Sequence, residues 1–239
     1  MGELKGAIDF KGKVGQIVAY RRNGKTVIAT KGGASKEKVM NSESMKNTRQ
    51  NAMEFKNAIM VGTNIRQGLN LRTCADLMIH SRLQGFLYKN VVRADSVHDR
   101  GERVVMPEKL KVLKDFVPNR KMYSIARAHL GAAVWEKDDA GIYFSLPVFD
   151  LRDLKGNFDS YKVWAVVKRV HLLEKGQIAM SSSEEVMRDP DYIGGESFTL
   201  NPIEAEENEV LVYACGFQTY VDGFPLQDRR MNGVVMGCL

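Results

Sequence analysis

Residues Ala19 to Thr26 have the residue types and spacing of a phosphate-binding loop. The stretch reads Ala-Tyr-Arg-Arg-Asn-Gly-Lys-Thr, which matches the loose pattern of a small residue, four residues of any type, and Gly-Lys-Thr. Such a loop works because glycines let successive backbone N–H groups converge on the phosphates, and a helix starts directly after it. Here the four intervening residues include no glycine, and β-branched residues follow Thr26. The pattern therefore does not favour a nucleotide site.

The same residues predict a β-hairpin. Two alternating runs flank Asn23-Gly24, and Asn-Gly is the strongest short hairpin signal because both residues tolerate positive φ in a type I′ turn. We therefore predict extended backbone on both sides of the turn, with Lys25 and Thr26 inside the second strand. The hairpin and its flanks are rich in cations, namely Lys11, Lys13, Arg21, Arg22, Lys25 and Lys31.

These cations have three interpretations, which we rank by how well the sequence supports each. Contact with an acidic surface of a neighbouring subunit comes first. Protection of an exposed strand edge comes second, because lysines discourage uncontrolled strand pairing. Binding to nucleic-acid phosphates comes third, because only Phe10 and Tyr20 are available for base stacking in this stretch.

The charge is divided along the chain. Residues through Arg93 carry 17 Lys and Arg against 6 Asp and Glu, a net charge of +11, and the remaining residues carry 18 against 23, a net charge of −5. Such polarity suits head-to-tail stacking of copies, although two differently solvated faces would give the same pattern. The acidic residues that we assign to partner binding are Glu204, Glu206, Glu207 and Glu209.

The periodicity of apolar residues predicts an α+β fold that is mainly β. Helical spacing over residues 42–69 and 73–93 predicts a helical hairpin, and period-two patterns dominate from residue 123 onward. We expect a basic hairpin arm (1–40), a helical hairpin with a connector (41–120) and an antiparallel β-sandwich of immunoglobulin-like size (121–239). The predicted strands are Tyr123 to Trp135, Gly141 to Phe149, Tyr161 to Leu173, Gln177 to Ser181, Glu196 to Leu200, Glu209 to Tyr220 and Gly233 to Cys238.

No constellation of catalytic, metal-binding or cofactor-binding residues is predicted. The cysteines and histidines are widely separated and lack the spacing of a disulfide framework or a zinc site. They are Cys74, Cys215, Cys238, His80, His98, His129 and His171. The stretch from Asp189 to Leu200 fails as a calcium loop, because Ile193 and Leu200 occupy positions that need oxygen ligands.

Hydropathy places the protein outside membranes. No apolar run reaches the length of about 18 residues that a membrane span needs, and the first residues, Met-Gly-Glu-Leu-Lys-Gly, lack the apolar core of a signal peptide. The sparse cysteines indicate a reducing compartment. We expect the protein in the host cytoplasm or in an assembled particle, without membrane contact.

The first quarter of the chain resembles an uncharacterised bacterial and phage-associated family. The residues that carry the resemblance are Lys5-Gly6, Gly12 to Gly15, Gly24 to Ile28, Thr48 to Gln50, and Phe55. The resemblance implies an assembly protein and supplies no catalytic residues. We expect a non-enzymatic bacteriophage virion component, such as a head–tail connector, ring or tail subunit. Its expected partners are its own copies and other particle proteins, and no small-molecule substrate is expected. A nucleic-acid-binding accessory protein is the alternative, and an enzyme of unrecognised type ranks third.

Overall fold

The computed structural model describes residues 2–3, 11–30, 32–67, 69, 74–149, 156–176, 179–183 and 186–239. The chain divides into two compact units, Met1–Arg49 and Gln50–Leu239. The unit from Met1 to Arg49 is called the N-terminal unit below, and the rest is called the main unit.

The N-terminal unit is built on a small antiparallel sheet. Its strand order is β1-β4-β3-β2, so β3 and β4 form the predicted hairpin at its centre. The strands are β1 (Gly2–Glu3), β2 (Gly12–Val14), β3 (Ile17–Arg22) and β4 (Lys25–Thr30). Helix α1 (Lys36–Asn41) follows, with the Ser35 side chain accepting the Lys38 N–H as its N-terminal cap. A short 3₁₀ helix, Glu43–Met45, leads into α2.

Helices α2 and α3 pack against each other, which confirms the predicted helical pair. A Cβ at Gly62 would lie only 3.3 Å from the Leu87 side chain, so the absent side chain lets the helices approach closely. The Phe55 and Tyr88 rings also meet edge to face at 5.4 Å. The main helices are α2 (Lys46–Arg66), α3 (Ile79–Asn90) and α4 (Ser124–Gly131), and the 3₁₀ helices are Val92–Ala94 and Pro107–Asp115.

The main unit contains two antiparallel sheets. The strands are β5 (Val134–Lys137), β6 (Ile142–Phe149), β7 (Ser160–His171), β8 (Ala179–Ser182), β9 (Val186–Arg188), β10 (Gly194–Leu200), β11 (Glu209–Val221), β12 (Phe224–Pro225) and β13 (Gly233–Cys238). The small sheet has the order β10-β6-β5. In the large sheet β7 and β11 pair along their length, β8 and β9 pair with successive parts of β7, and β13 and β12 pair with successive parts of β11.

Both faces of the large sheet are covered. One face packs with α2, α3 and the 3₁₀ helix Pro107–Asp115, through Trp164, Val166, Val170, Val212, Ala214, Val234 and Met236. The other face packs with the small sheet and α4, through Val163, Ala165, Val167, Leu211, Cys215 and Phe217. Two packed sheets are compatible with the predicted β-sandwich, and the architecture confirms the α+β, mainly β class.

One predicted strand is wrong, and the other predicted strands are found. Residues 124–131 form helix α4, and a strand begins only at Val134. The helix buries Ala126 and Leu130, four residues apart on one face, in the second apolar core. Of the predicted strand Gln177 to Ser181, residues 177 and 178 lie outside the described residues.

The boundary between the two compact units differs from the predicted domain boundaries. The contact-based boundary lies at Arg49, and helices α2 and α3 share an apolar core with the large sheet. The ranges 1–40, 41–120 and 121–239 stay a prediction about domains, because compactness alone does not test which segments fold independently.

A buried carboxylate, Asp95, holds the loop after α3. Its oxygens accept the backbone N–H groups of Val97, His98 and Val104 at 2.9–3.2 Å, and His98 Nδ1 lies 2.8 Å from Oδ2. Burial alone would raise the pKa of Asp95, but these hydrogen bonds outweigh it and lower the pKa from 3.8 to about 2. The ionised form therefore stabilises the folded chain.

We expect Asp95→Asn to lower the free energy of unfolding by about 2 kcal/mol at pH 6. Because the folded pKa lies below the unfolded pKa, the stabilisation is present above about pH 4 and is lost as the pH falls through about 2. Urea unfolding between pH 6 and pH 2 measures both effects. Asp99→Asn is the control, since Asp99 is an exposed carboxylate of the same loop. An equal loss in both variants would contradict the role of Asp95.

Candidate functional site

Of the Gly-Lys-Thr residues, Gly24 lies in a turn, and Lys25 and Thr26 lie in a strand. Asn23 and Gly24 have φ values of 53° and 78°, as a type I′ turn requires, and β4 runs from Lys25 to Thr30. The strand continues from Thr26 to Thr30, so the positive helix end that a phosphate-binding loop needs directly after it is missing from this stretch. The predicted hairpin is confirmed.

The hairpin cations are divided between the two faces of the small sheet. Directly paired residues share a face, and Lys13 pairs with Val18 while Arg22 pairs with Lys25. Alternation along β3 places Val18 and Arg22 on one face of the sheet, together with their partners Lys13 and Lys25. Arg21 lies on the opposite face. We call the side bearing Lys13, Arg22 and Lys25 the cationic face. Lys11 is exposed before β2, and Lys31 lies outside the described residues.

The face opposite the cationic face exposes two apolar side chains. Val14 and Ile17 form a cross-strand pair on it and keep 63% and 43% of their surface accessible. Of the apolar side chains described in residues 11–49, Ala19 alone is buried. The N-terminal unit therefore has almost no apolar core of its own among its described residues.

The predicted acidic residues lie in an exposed turn that enters β11. Three of the four have partners in the same chain: Glu204 pairs with Lys137 at 3.1 Å, and Glu206 and Glu209 pair with Arg169 at 3.0 and 3.2 Å. Glu207 is exposed, and no ion pair involves it among the described residues. Four carboxylates against two cations leave this turn with a net charge of −2. We call it the acidic turn.

A cationic cleft of about 540 Å³ lies elsewhere, in the main unit, and the sequence analysis missed it. One face of α3 contributes Arg82, Gly85, Phe86 and Lys89, which have the i, i+3, i+4, i+7 spacing of a single helix face. Asp115, the last residue of the 3₁₀ helix, lines the cleft. Phe116, Val117 and Arg120 line it from the following segment, and Arg127 lines it from α4. The cleft thus gathers four cations and one carboxylate.

The cysteines are all free thiols. Cys74 and Cys215 are buried, and burial raises the pKa values of Cys215 and Cys238. Raised pKa values keep these groups in the unreactive thiol form near neutral pH. Within the described ranges, no three metal-ligating side chains come together.

None of the described helices combines the length and the apolar character needed to cross a bilayer.

Comparison with known proteins found no similarity. No family model, curated protein or solved structure matches this chain. Inferences about function therefore rest on the residues and surfaces described above.

Proposed function

We propose that the protein is a non-enzymatic assembly subunit of a bacteriophage particle, such as a head–tail connector, ring or tail component. In this proposal the N-terminal unit associates with a second copy of the chain. The observation that carries the proposal is the exposed sheet of the N-terminal unit, whose described residues bury Ala19 as their sole apolar side chain.

The energetic argument starts from the cost of ordering this sheet. Fixing each residue costs about 1–2 kcal/mol of conformational entropy, and burial of apolar surface is the main term that offsets it. Among its described residues this sheet fully buries one alanine, and its other apolar side chains stay half-buried or exposed, so burial offsets only part of this cost. Association would cover Val14 and Ile17, which lie on the face opposite the cationic face. It would also cover Met40 of α1, which is 58% exposed. The described residues of the N-terminal unit therefore leave apolar surface for a partner to cover.

Charge complementarity favours a second copy as the partner. The cationic face carries three positive charges, and the acidic turn carries a net charge of −2 in the other unit of the same chain. Opposite surfaces on separate units allow head-to-tail association, which closes into rings or continues as stacks.

The bacteriophage context rests on the resemblance of the N-terminal residues to a phage-associated family. The residues concerned include Gly12 to Gly15, Gly24 to Ile28 and Thr48 to Gln50. Two of these stretches belong to the small sheet, at the start of β2 and in the central hairpin. The resembling residues therefore include those to which we assign assembly.

We expect the chain to form oligomers and Arg22→Glu/Lys25→Glu to dissociate them. Reversing both charges keeps the like-charge pair of the hairpin, so the hairpin itself should change little while its attraction to an acidic partner becomes repulsion. Multi-angle light scattering at low salt measures the mass against the 26.9 kDa chain. The control Lys56→Glu/Lys175→Glu makes the same charge change at exposed sites in the main unit. A wild-type chain that stays monomeric at high concentration would contradict assembly.

The same variant separates assembly from the alternative, a nucleic-acid-binding accessory protein. The exposed cationic face is the feature that favours the alternative, because each neutralised phosphate adds a salt-dependent gain in affinity. A salt-dependent shift of DNA mobility that disappears in the variant, with the wild-type chain monomeric, would favour DNA binding.

A further inference from the structure

The cationic cleft concentrates positive charge that the chain does not neutralise. Arg82 pairs with Asp76, and within the described residues neither Lys89 nor Arg120 has an ion-pair partner. Asp115 is the sole carboxylate in the lining. With four cations lining the cleft, its net charge is +3 when Asp115 is subtracted, and +2 when Asp76 behind Arg82 is also counted.

Arg82 is held rigidly at the wall of the cleft. Its guanidinium donates to the Asp76 carboxylate and to the carbonyl oxygen of Val117, and it lies 5.3 Å from the centre of the Phe116 ring. The side chain is only 15% exposed. Burial lowers the pKa of Arg82, Asp76 opposes this effect, and the nearby Arg120 lowers it further. The two arginines therefore repel each other.

The floor of the cleft leaves room for a ligand. Gly85 is exposed within α3, and no heavy atom lies within 4 Å of the position that its Cβ would take. Glycine inside a helix costs about 0.5–1 kcal/mol relative to alanine, so packing within the chain does not explain its presence. Beside it, the Phe86 and Phe116 rings pack with their centres 5.2 Å apart and form an apolar wall.

We propose that this cleft binds a phosphate-bearing ligand through Arg82, Lys89, Arg120 and Arg127. Guanidinium groups form paired hydrogen bonds with phosphate oxygens, and a lysine adds a compact charge. A phosphate monoester or pyrophosphate carries about two or more negative charges near neutral pH and so matches the cleft better than a single carboxylate.

The acidic turn of a second copy fits the cleft less well. Glu204, Glu206 and Glu209 already pair with Lys137 and Arg169 of their own chain. To enter the cleft these carboxylates would have to exchange one set of ion pairs for another. Glu207 is the one member of the acidic turn with no ion pair among the described residues, and a single carboxylate neutralises less of the charge of the cleft than a phosphate group does.

Calorimetric titration of the full chain with pyrophosphate tests the proposal. We expect saturable binding that Lys89→Ala/Arg120→Ala weakens at least about tenfold, since hydrogen bonds to charged groups are individually strong. The control Lys56→Ala/Lys175→Ala removes the same charge from exposed sites outside the cleft and should change the affinity less than about twofold. Gly85→Phe should also weaken binding, because its ring would occupy the open space. A thermal melt of each variant establishes that it is folded.

Competition with a single-stranded DNA oligonucleotide identifies the source of the phosphate. Displacement of pyrophosphate by DNA, with a steep salt dependence, assigns the cleft to a nucleic-acid backbone, and failure to compete assigns it to a small phosphate ester. The proposal is overturned by no pyrophosphate binding, by equal weakening in both double variants, or by tighter binding of a glutamate peptide. Every residue changed lies in the main unit, so failure here leaves the assembly proposal standing.

Discussion

Asn232→Ala is expected to lower the free energy of unfolding by about 4 kcal/mol or more. The Asn232 side chain is fully buried and forms its hydrogen bonds with groups of its own chain. Its Oδ1 accepts the Thr219 N–H and hydroxyl groups, both at 2.9 Å, and its Nδ2 donates to the Leu226 carbonyl at 2.8 Å. Alanine leaves the two Thr219 donors buried without an acceptor, and each such group costs about 1–3 kcal/mol.

Chemical unfolding followed by circular dichroism measures this loss. Asn201→Ala is the matched control, because Asn201 is exposed and should change the free energy of unfolding by less than about 0.5 kcal/mol. A loss below about 1 kcal/mol for Asn232→Ala would mean that water or rearranged neighbours satisfy Thr219. That result would contradict the network that ties the 226–232 segment to β11.

Gly216→Ala is expected to lower the free energy of unfolding by about 3 kcal/mol or more, because the added methyl group has no space. A Cβ at Gly216 would lie 2.2 Å from the Gly233 carbonyl oxygen on β13 and 2.8 Å from the Trp164 ring on β7. The first clash is with backbone of a paired strand, so β11 and β13 would have to separate.

Gly85→Ala is the control for Gly216→Ala. Its Cβ meets nothing within 4 Å, and alanine suits a helix better than glycine does. We therefore expect it to raise the free energy of unfolding by about 0.5–1 kcal/mol. Thermal unfolding of both variants tests whether Gly216→Ala is less stable, and Gly85→Ala more stable, than the wild type. Equal stability of Gly216→Ala and the wild type would show that the strands tolerate a wider spacing than the structure has.

Local signals were sufficient to predict the hairpin and most strands. Asn23-Gly24 fixes the turn because its conformation depends on those two residues alone. The long strands β7 and β11 were also recognisable, although both faces of the sheet are buried and clean alternation is lost.

Helix α4 was missed because its sequence fits two periods. Ile125, Arg127 and His129 alternate with alanines and Leu130, which resembles a strand, while Ala126 and Leu130 also have helical spacing. The short helix is selected by tertiary packing, since Ala126 and Leu130 fill the core beside the small sheet. A local sequence pattern does not predict such tertiary packing.

The cleft and a buried lysine could not be predicted for a related reason. The cleft combines α3, the segment around Arg120, and α4, which only the fold brings together. Lys168 resembles any strand lysine in the sequence, yet it is 2% exposed and donates to the carbonyls of Asn64 and Gln67 at the end of α2. Burial lowers its pKa from 10.5 to about 8. Partners that distant in sequence leave no local signal.

The central claim is that a second copy covers the sheet of the N-terminal unit. Amide hydrogen exchange of residues 11–30, measured over a range of concentrations of the full chain, tests it most directly. The account predicts slow exchange in β3 and β4 at concentrations where light scattering detects oligomers, and faster exchange on dilution to monomers. Exchange at one rate across the whole range, in samples that do contain oligomers, would contradict it.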